Sequence, residues 1–230
     1  MDINKSEGSL YALSDIHGCY KELCDVLNKL NLKPIDTIIF MGDYVDRGPD
    51  SKSVINKIIE LQSYCNVIVL KGNHEVMMKS GFDNIDDQYV LGWLQWGGRD
   101  TLESYGVSLS EFLDDSFEIP KDIQEHLDFL DALPLFYETD THIFVHASPE
   151  LTVPLEEQSE RNLIWRRPQN DDEEFNYTHV SNKIIVSGHT AQKSGVPLKL
   201  SDKNYLIDTG CFFTGVLTVL DVKANIYITN

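Results

Sequence analysis

Five apolar runs in this sequence stop at residue types able to hold a metal ion or a phosphate: Asp15-Ile16-His17, Gly42-Asp43, Gly72-Asn73-His74, His146 and Gly188-His189. A pair of divalent cations needs about five or six hard or borderline ligands, among which a carboxylate can bridge the ions and imidazoles suit manganese, iron or zinc. Asp15, His17, Asp43, Asn73, His146 and His189 supply that set. Two such ions, roughly 3.5–4 Å apart, lower the pKa of a shared water and brace both oxygens of an in-line displacement. Arg47, in the tight loop GDYVDRGP, is placed to meet the equatorial oxygens of a phosphate, and Arg166 or Arg167 is a candidate second clamp. His74, oriented by a carboxylate such as Asp46, is a candidate general acid for a leaving alkoxide. Taken singly, Asp15, Asp43 or Asn73 reads as a turn former, and His126, His142 and His179 read as ordinary surface or core residues. The joint pattern is what points to chemistry.

The elements that must position these residues follow from hydrophobic periodicity. SLYALSD (residues 9–15) reads as a strand, Leu23, Val26, Leu27 and Leu30 recur at helical spacing, and TIIFMGD (37–43) reads as a second strand. A helix carrying Val54, Ile55, Ile58 and Leu61 and a strand VIVLKGN (67–73) complete a strand–helix–strand series. From about residue 81 to 133 the pattern turns helical and irregular, a cap or insertion, with Trp93, Trp96, Leu102 and Tyr105 as expected apolar contacts and Pro120 as a helix start. Strands then return in THIFVHA (141–147), KIIVSGH (183–189), NYLIDTG (204–210), GVLTVLDV (215–222) and NIYIT (225–229). In open α/β sheets ligand sites form from loops at the carboxyl ends of strands, so these ends are expected to converge.

A chain of 230 residues suits one domain over residues 1–230, with the helical insertion inside it. Its 19 Lys+Arg against 37 Asp+Glu give a formal net charge of −18, which repels nucleic-acid phosphates and anionic membranes. The run Asp171-Asp172-Glu173-Glu174 reads as a solvated loop. No apolar run reaches the length of a bilayer span and MDINKSEGSL lacks a secretory pattern, so a soluble, cytoplasmic monomer is expected. Cys19, Cys24, Cys65 and Cys211 have no CxxC spacing, so neither a thiolate zinc site nor a redox pair is expected.

The blocks DIHG (15–18), GDYVDRG (42–48), GNHE (72–75), HA (146–147) and GHT (188–190) stand in the order found in the phosphoprotein phosphatases of the calcineurin-like metallophosphoesterase superfamily, which the sequence resembles in a bacterial or phage-like form. GDYVDRG followed by GNHE is the specific part. The resemblance implies an α/β fold with a central β-sandwich flanked by helices and a dinuclear site at one edge. It implies one metal held by Asp15, His17 and Asp43, and a second by Asp43, Asn73, His146 and His189, with Asp43 bridging. Manganese is the first choice, with iron or zinc also fitting. Arg47 and Asn73 would touch phosphate, His74 and Asp46 would form the acid pair, and the position two residues after Trp165 points to Arg167 rather than Arg166. WGGRDTLESYG (96–106) resembles an insertion of bacterial relatives, while Ser14, Ser148 and Trp96 stand where relatives usually carry glycine, glycine and asparagine. These departures bear on substrate fit and cap packing.

The implied activity is hydrolysis of phosphoserine or phosphothreonine in a protein or peptide, with dual specificity toward phosphotyrosine open. Two other readings compete: a dinucleoside polyphosphate hydrolase sharing the metal core, against which the VDRGP loop argues, and a non-catalytic phosphate-binding scaffold, which should have lost a ligand or the acid histidine.

Overall fold

The computed structural model describes residues 8–83, 87–168 and 178–230; the acidic run 171–174 lies outside them. Three short strands, β1 (Leu10–Leu13), β2 (Thr37–Phe40) and β3 (Asn66–Val69), run parallel, joined by α1 (Tyr20–Leu30) and α2 (Ser51–Leu61). In β1 the side chains alternate, as strand geometry requires. Leu10 and Ala12 point toward a second sheet, while Tyr11 and Leu13 pack on Leu23, Val26, Val54 and Ile58 of the two helices. Asp50 caps α2 by accepting from the Ser53 amide at 3.1 Å, and Asn31 ends α1 in a left-handed conformation.

After β3 the chain is helical from Asn73 onward: α3 (Asn73–Asp83), α4 (Asp87–Trp93), a π-turn (94–98), α5 (Arg99–Ser104), α6 (Leu109–Phe112) and α7 (Lys121–Asp131), which Pro120 immediately precedes. The helical stretch thus begins inside the GNHE block, earlier than the periodicity predicts. Trp93 and Leu102 are buried as expected, whereas Trp96 is 52% exposed.

The second sheet holds β4 (Phe136–Glu138), β5 (His142–Val145), β6 (Ile184–Ser187), β7 (Leu198–Ser201) and β8 (Asn204–Leu206) in the order β4-β5-β6-β8-β7. α8 (Glu160–Trp165) covers its outer face through Leu163. A short helix α9 (Cys211–Thr214) then leads to β9 (Thr218–Asp221) and β10 (Ile226–Thr229), which return to the first sheet in the order β10-β9-β1-β2-β3. Between the sheets lie Ile39, Met41 and Leu70 against Phe144, Val186 and Ile207, a β-sandwich with helices on both outer faces.

Register decides where the site falls. Leu13 pairs with Phe40 and Phe40 with Val69, so the loops after β1, β2 and β3 leave the first sheet at one level. Val145 pairs with Ser187 and Ser187 with Leu206, which does the same for β5, β6 and β8.

Candidate active site

The loops after these parallel strands do not follow relaxed backbone paths. Asp15, His17, Asp43, Asp46, Arg47 and His189 all have positive φ, six of the nine non-glycine residues that do so among those described. Each left-handed residue of this kind costs on the order of 1–3 kcal/mol, and such strain collects where surrounding structure enforces it. The enforcement is visible. Asp15 donates its amide to the Gly42 carbonyl at 3.1 Å, His17 to Asp43 at 2.9 Å and Gly188 to His146 at 2.8 Å, so each loop is templated by the next. A Cβ on Gly42 would sit 2.7 Å from both the Gly72 backbone and His146 Nδ1, which leaves room for nothing larger.

Asp43 lies at the centre. Its two carboxylate oxygens face His17 Nε2 at 3.5 Å and His146 Nε2 at 3.3 Å. His17, Asp43 and His74 form one group of close donor atoms, and Asp43, His146 and His189 form another. Asn73 Oδ1 lies 3.0 Å from His146 Nε2, and Asp15 Oδ2 accepts the His189 amide at 2.9 Å. The imidazole rings are oriented from behind: His17 Nδ1 donates to the Val45 carbonyl and His146 Nδ1 to the Met41 carbonyl, each at 2.8 Å, which turns both Nε2 atoms toward Asp43.

The electrostatics calls for cations. Asp15, Asp43, Glu75 and Asp208 are all buried here, and none forms an ion pair with a lysine or arginine among the described residues. Burial pushes the Asp15 and Asp208 carboxyls up, each further raised by a neighbouring carboxylate, and burial together with Asp43 raises Glu75 to about 7. Burial opposes charge on His146, yet Asp43 beside it lifts that imidazole to about 10, while burial and His146 drive His189 down to about 3. Buried carboxylates without a lysine or arginine partner, set among imidazoles whose Nε2 atoms converge on Asp43, fit a pair of divalent cations.

Beside this cluster stands a second device. His74 Nδ1 meets Asp46 Oδ2 at 2.7 Å; Asp46 is fully buried, and its other oxygen accepts from Trp93 Nε1 at 2.9 Å and Thr101 Oγ1 at 2.7 Å. Trp93 and Thr101 come from the helical stretch, so that segment holds the carboxylate in place as well as roofing the core. Arg47 places Nη1 2.9 Å from His17 Nε2 and Nη2 2.9 Å from His74 Nε2, with Phe212 4.8 Å and the exposed Trp96 5.9 Å from its guanidinium carbon.

All six expected metal ligands, His74, Asp46 and Arg47 therefore share one edge of the sandwich. Arg167 reaches it too, with Nε 3.5 Å from His189 Nε2, whereas Arg166 turns back to the carbonyls of Ser148 and Pro149. Two residues at the site escaped the sequence reading. Asp208 follows β8, where the rule applied to the other strand ends would have found it. Glu75 accepts amides from Gly72, Asp43 and Tyr44 at 2.8–2.9 Å and so staples two loops together, a role only tertiary structure reveals. His126, His142 and His179 lie in other hydrogen-bonded settings, His126 against Tyr105 and Asn56.

Comparison with known proteins accords with this geometry. Residues 8–193 match the family model of the calcineurin-like phosphoesterases. A symmetrical bis(5'-nucleosyl)-tetraphosphatase of Photorhabdus laumondii is 44% identical over 69 residues, 30% of this chain and 24% of that protein. Serine/threonine-protein phosphatase 2 of Escherichia coli is 37% identical over 90 residues, 39% of this chain and 38% of its own length. The matches span only 24% to 43% of the length of the tetraphosphatases concerned. A solved structure provisionally described as a diadenosine tetraphosphatase overlays with a TM-score of 0.68 at 20% identity, covering 97% of this chain and 93% of that one, a likeness of fold. With the family model spanning most of the sequence and the buried donor cluster lying within that span, the chain belongs to the calcineurin-like phosphoesterase family, hydrolases built around a dinuclear divalent-metal site.

Proposed function

We propose that the protein hydrolyses phosphate monoesters of alcohols, with a phosphoserine or phosphothreonine side chain as the substrate class. One observation carries this reading: the buried His74–Asp46 pair, 2.7 Å apart, beside the donor cluster. A serine or threonine alkoxide is a poor leaving group and departs only when protonated, whereas a nucleotide leaves readily without such help. A carboxylate fixed by three hydrogen bonds, holding a histidine with Nε2 toward the site, answers the alkoxide's need.

Asp15, His17 and Asp43 would hold one divalent ion, and Asp43, Asn73, His146 and His189 the other, a mixed oxygen and imidazole set for which manganese is the first choice. Bound there, the pair supplies Lewis acidity that lowers the pKa of a water and neutralises phosphate charge. Arg47 and Arg167, on opposite sides of the cluster, bind phosphate oxygens, with Asn73 contributing a further polar contact. Asp46 orients the His74 ring through Nδ1, and once Arg47 turns from His74 Nε2 to the phosphate, protonated Nε2 gives its proton to the departing oxygen. The exposed rings of Trp96 and Phe212 flank Arg47, and the nucleoside tetraphosphatase relatives favour a second reading in which these rings stack on a base.

The deciding experiment measures hydrolysis of a phosphothreonine peptide, a phosphotyrosine peptide and a dinucleoside tetraphosphate by chelated protein, with and without added manganese. Manganese-dependent phosphate release from the peptides is expected. Cleavage of the dinucleotide alone would move the function to nucleotide metabolism, and no reaction with metal bound would favour a phosphate-binding scaffold.

A further inference from the structure

The four cysteines lack any metal-binding spacing in sequence, yet folding brings two of them together. Cys19, immediately before α1, Cys211, the first residue of α9, and Glu22 in the first turn of α1 place their ligand atoms within 4.8 Å of one another. Both sulfurs are buried, Glu22 is half-buried, and all three line an open groove of about 850 Å³ beside the candidate active site. The Glu22 carboxylate makes no hydrogen bond or ion pair with a side chain or backbone group among the described residues, so it is available. Cys19 Sγ rests 3.5 Å from the His17 carbonyl, which puts this cluster one short backbone step from the proposed metal pair.

We propose that Cys19, Glu22 and Cys211 form a third metal site, selective for a thiophilic divalent cation such as zinc. Two sulfurs and one carboxylate are the three-ligand set of an open tetrahedral zinc site, with the fourth position facing the groove. Zinc–sulfur bonds of about 2.3 Å place tetrahedral sulfurs roughly 3.8 Å apart, so closure from the present spread, at most 4.8 Å, needs about 1 Å of movement. Thiolates discriminate against manganese and magnesium, so this site and the all-nitrogen-and-oxygen pair beside it sort different metals from one mixture. Occupancy would anchor α9, whose next residue, Phe212, stands 5.4 Å from His17 and packs under Arg47.

Cobalt separates the two centres, because only cysteine ligation gives intense near-ultraviolet thiolate-to-cobalt bands. Titrating cobalt into the metal-free protein should produce these bands and a bound-metal content of three per chain. C19S and C211S should abolish the bands and return the content to two, while C24S and C65S should keep both. E22Q, a mild change at a half-buried position, should weaken the cobalt component that gives the bands by at least the roughly 10–100-fold known for loss of an outer-shell partner. Absence of thiolate bands at saturating cobalt, bands that survive C211S, or unchanged cobalt affinity in E22Q would each overturn the proposal.

Discussion

Asp43 and His74 occupy adjacent positions in space yet answer to different tests. Asp43 faces imidazoles from both sheets, so Asp43→Asn should lower bound metal to fewer than half the wild-type equivalents, read by metal analysis after dialysis. His74→Asn should leave metal content nearly intact and cut kcat on an alkyl phosphate by about 10²–10⁴-fold. The same variant should lose far less on a dinucleoside polyphosphate, whose leaving group needs no proton, so the ratio of the two losses reads out the acid role directly. Equal losses on both substrates would remove His74 from proton transfer and make it a phosphate contact.

At the scale of elements, the helical stretch after β3 and the strand-end loops depend on one another. Thr101→Val removes the hydroxyl that both donates to Asp46 Oδ1 and accepts the Asp46 amide at 2.9 Å. It should cost about 1–3 kcal/mol in denaturant unfolding, the usual penalty for a stranded buried polar group, and lower kcat with metal content unchanged. His126 on α7 offers a pH test. Burial holds its imidazole below the ordinary value of 6.5, so the unfolded chain binds the proton more readily than the folded one. By linkage stability then falls as pH drops below about 6.5, and His126→Gln should flatten that part of the difference in Tm between pH 7.5 and 5.5. The strands and helices with clear alternation or helical spacing were legible in sequence, as were the residues at strand ends. β4 and β7 were not: both are short edge strands, half-buried or exposed, and β4 has no alternation while the Leu-Lys-Leu-Ser of β7 is too brief to stand out from a loop. The hold of Trp93 and Thr101 on Asp46, and the meeting of Cys19 with Cys211, arise from contacts far apart in sequence that no local pattern encodes.

For the whole molecule, the donor cluster is a clasp between two sheets: Asp15, His17, Asp43 and Asn73 belong to the edge of the first, His146 and His189 to that of the second. Ligands that bind only the folded state stabilise it by mass action, about 2.7 kcal/mol at a hundredfold excess over Kd. Chelation should therefore lower Tm by several degrees, and manganese should restore it in the wild type but not in Asp43→Asn.

The return of β9 to the side of β1 has a consequence for the order of assembly. β1, whose loop carries Asp15 and His17, gains its neighbour β2 early in synthesis and its neighbour β9 only near the end of the sequence. A nascent chain that has just passed His189 already contains all six ligands proposed for the metal pair, yet presents β1 as an open hydrogen-bonding edge. Such a chain should not behave as a slow enzyme awaiting four more strands. It should stick to its neighbours on the polysome, and the last strands to emerge are what turn a template for aggregation into a catalyst.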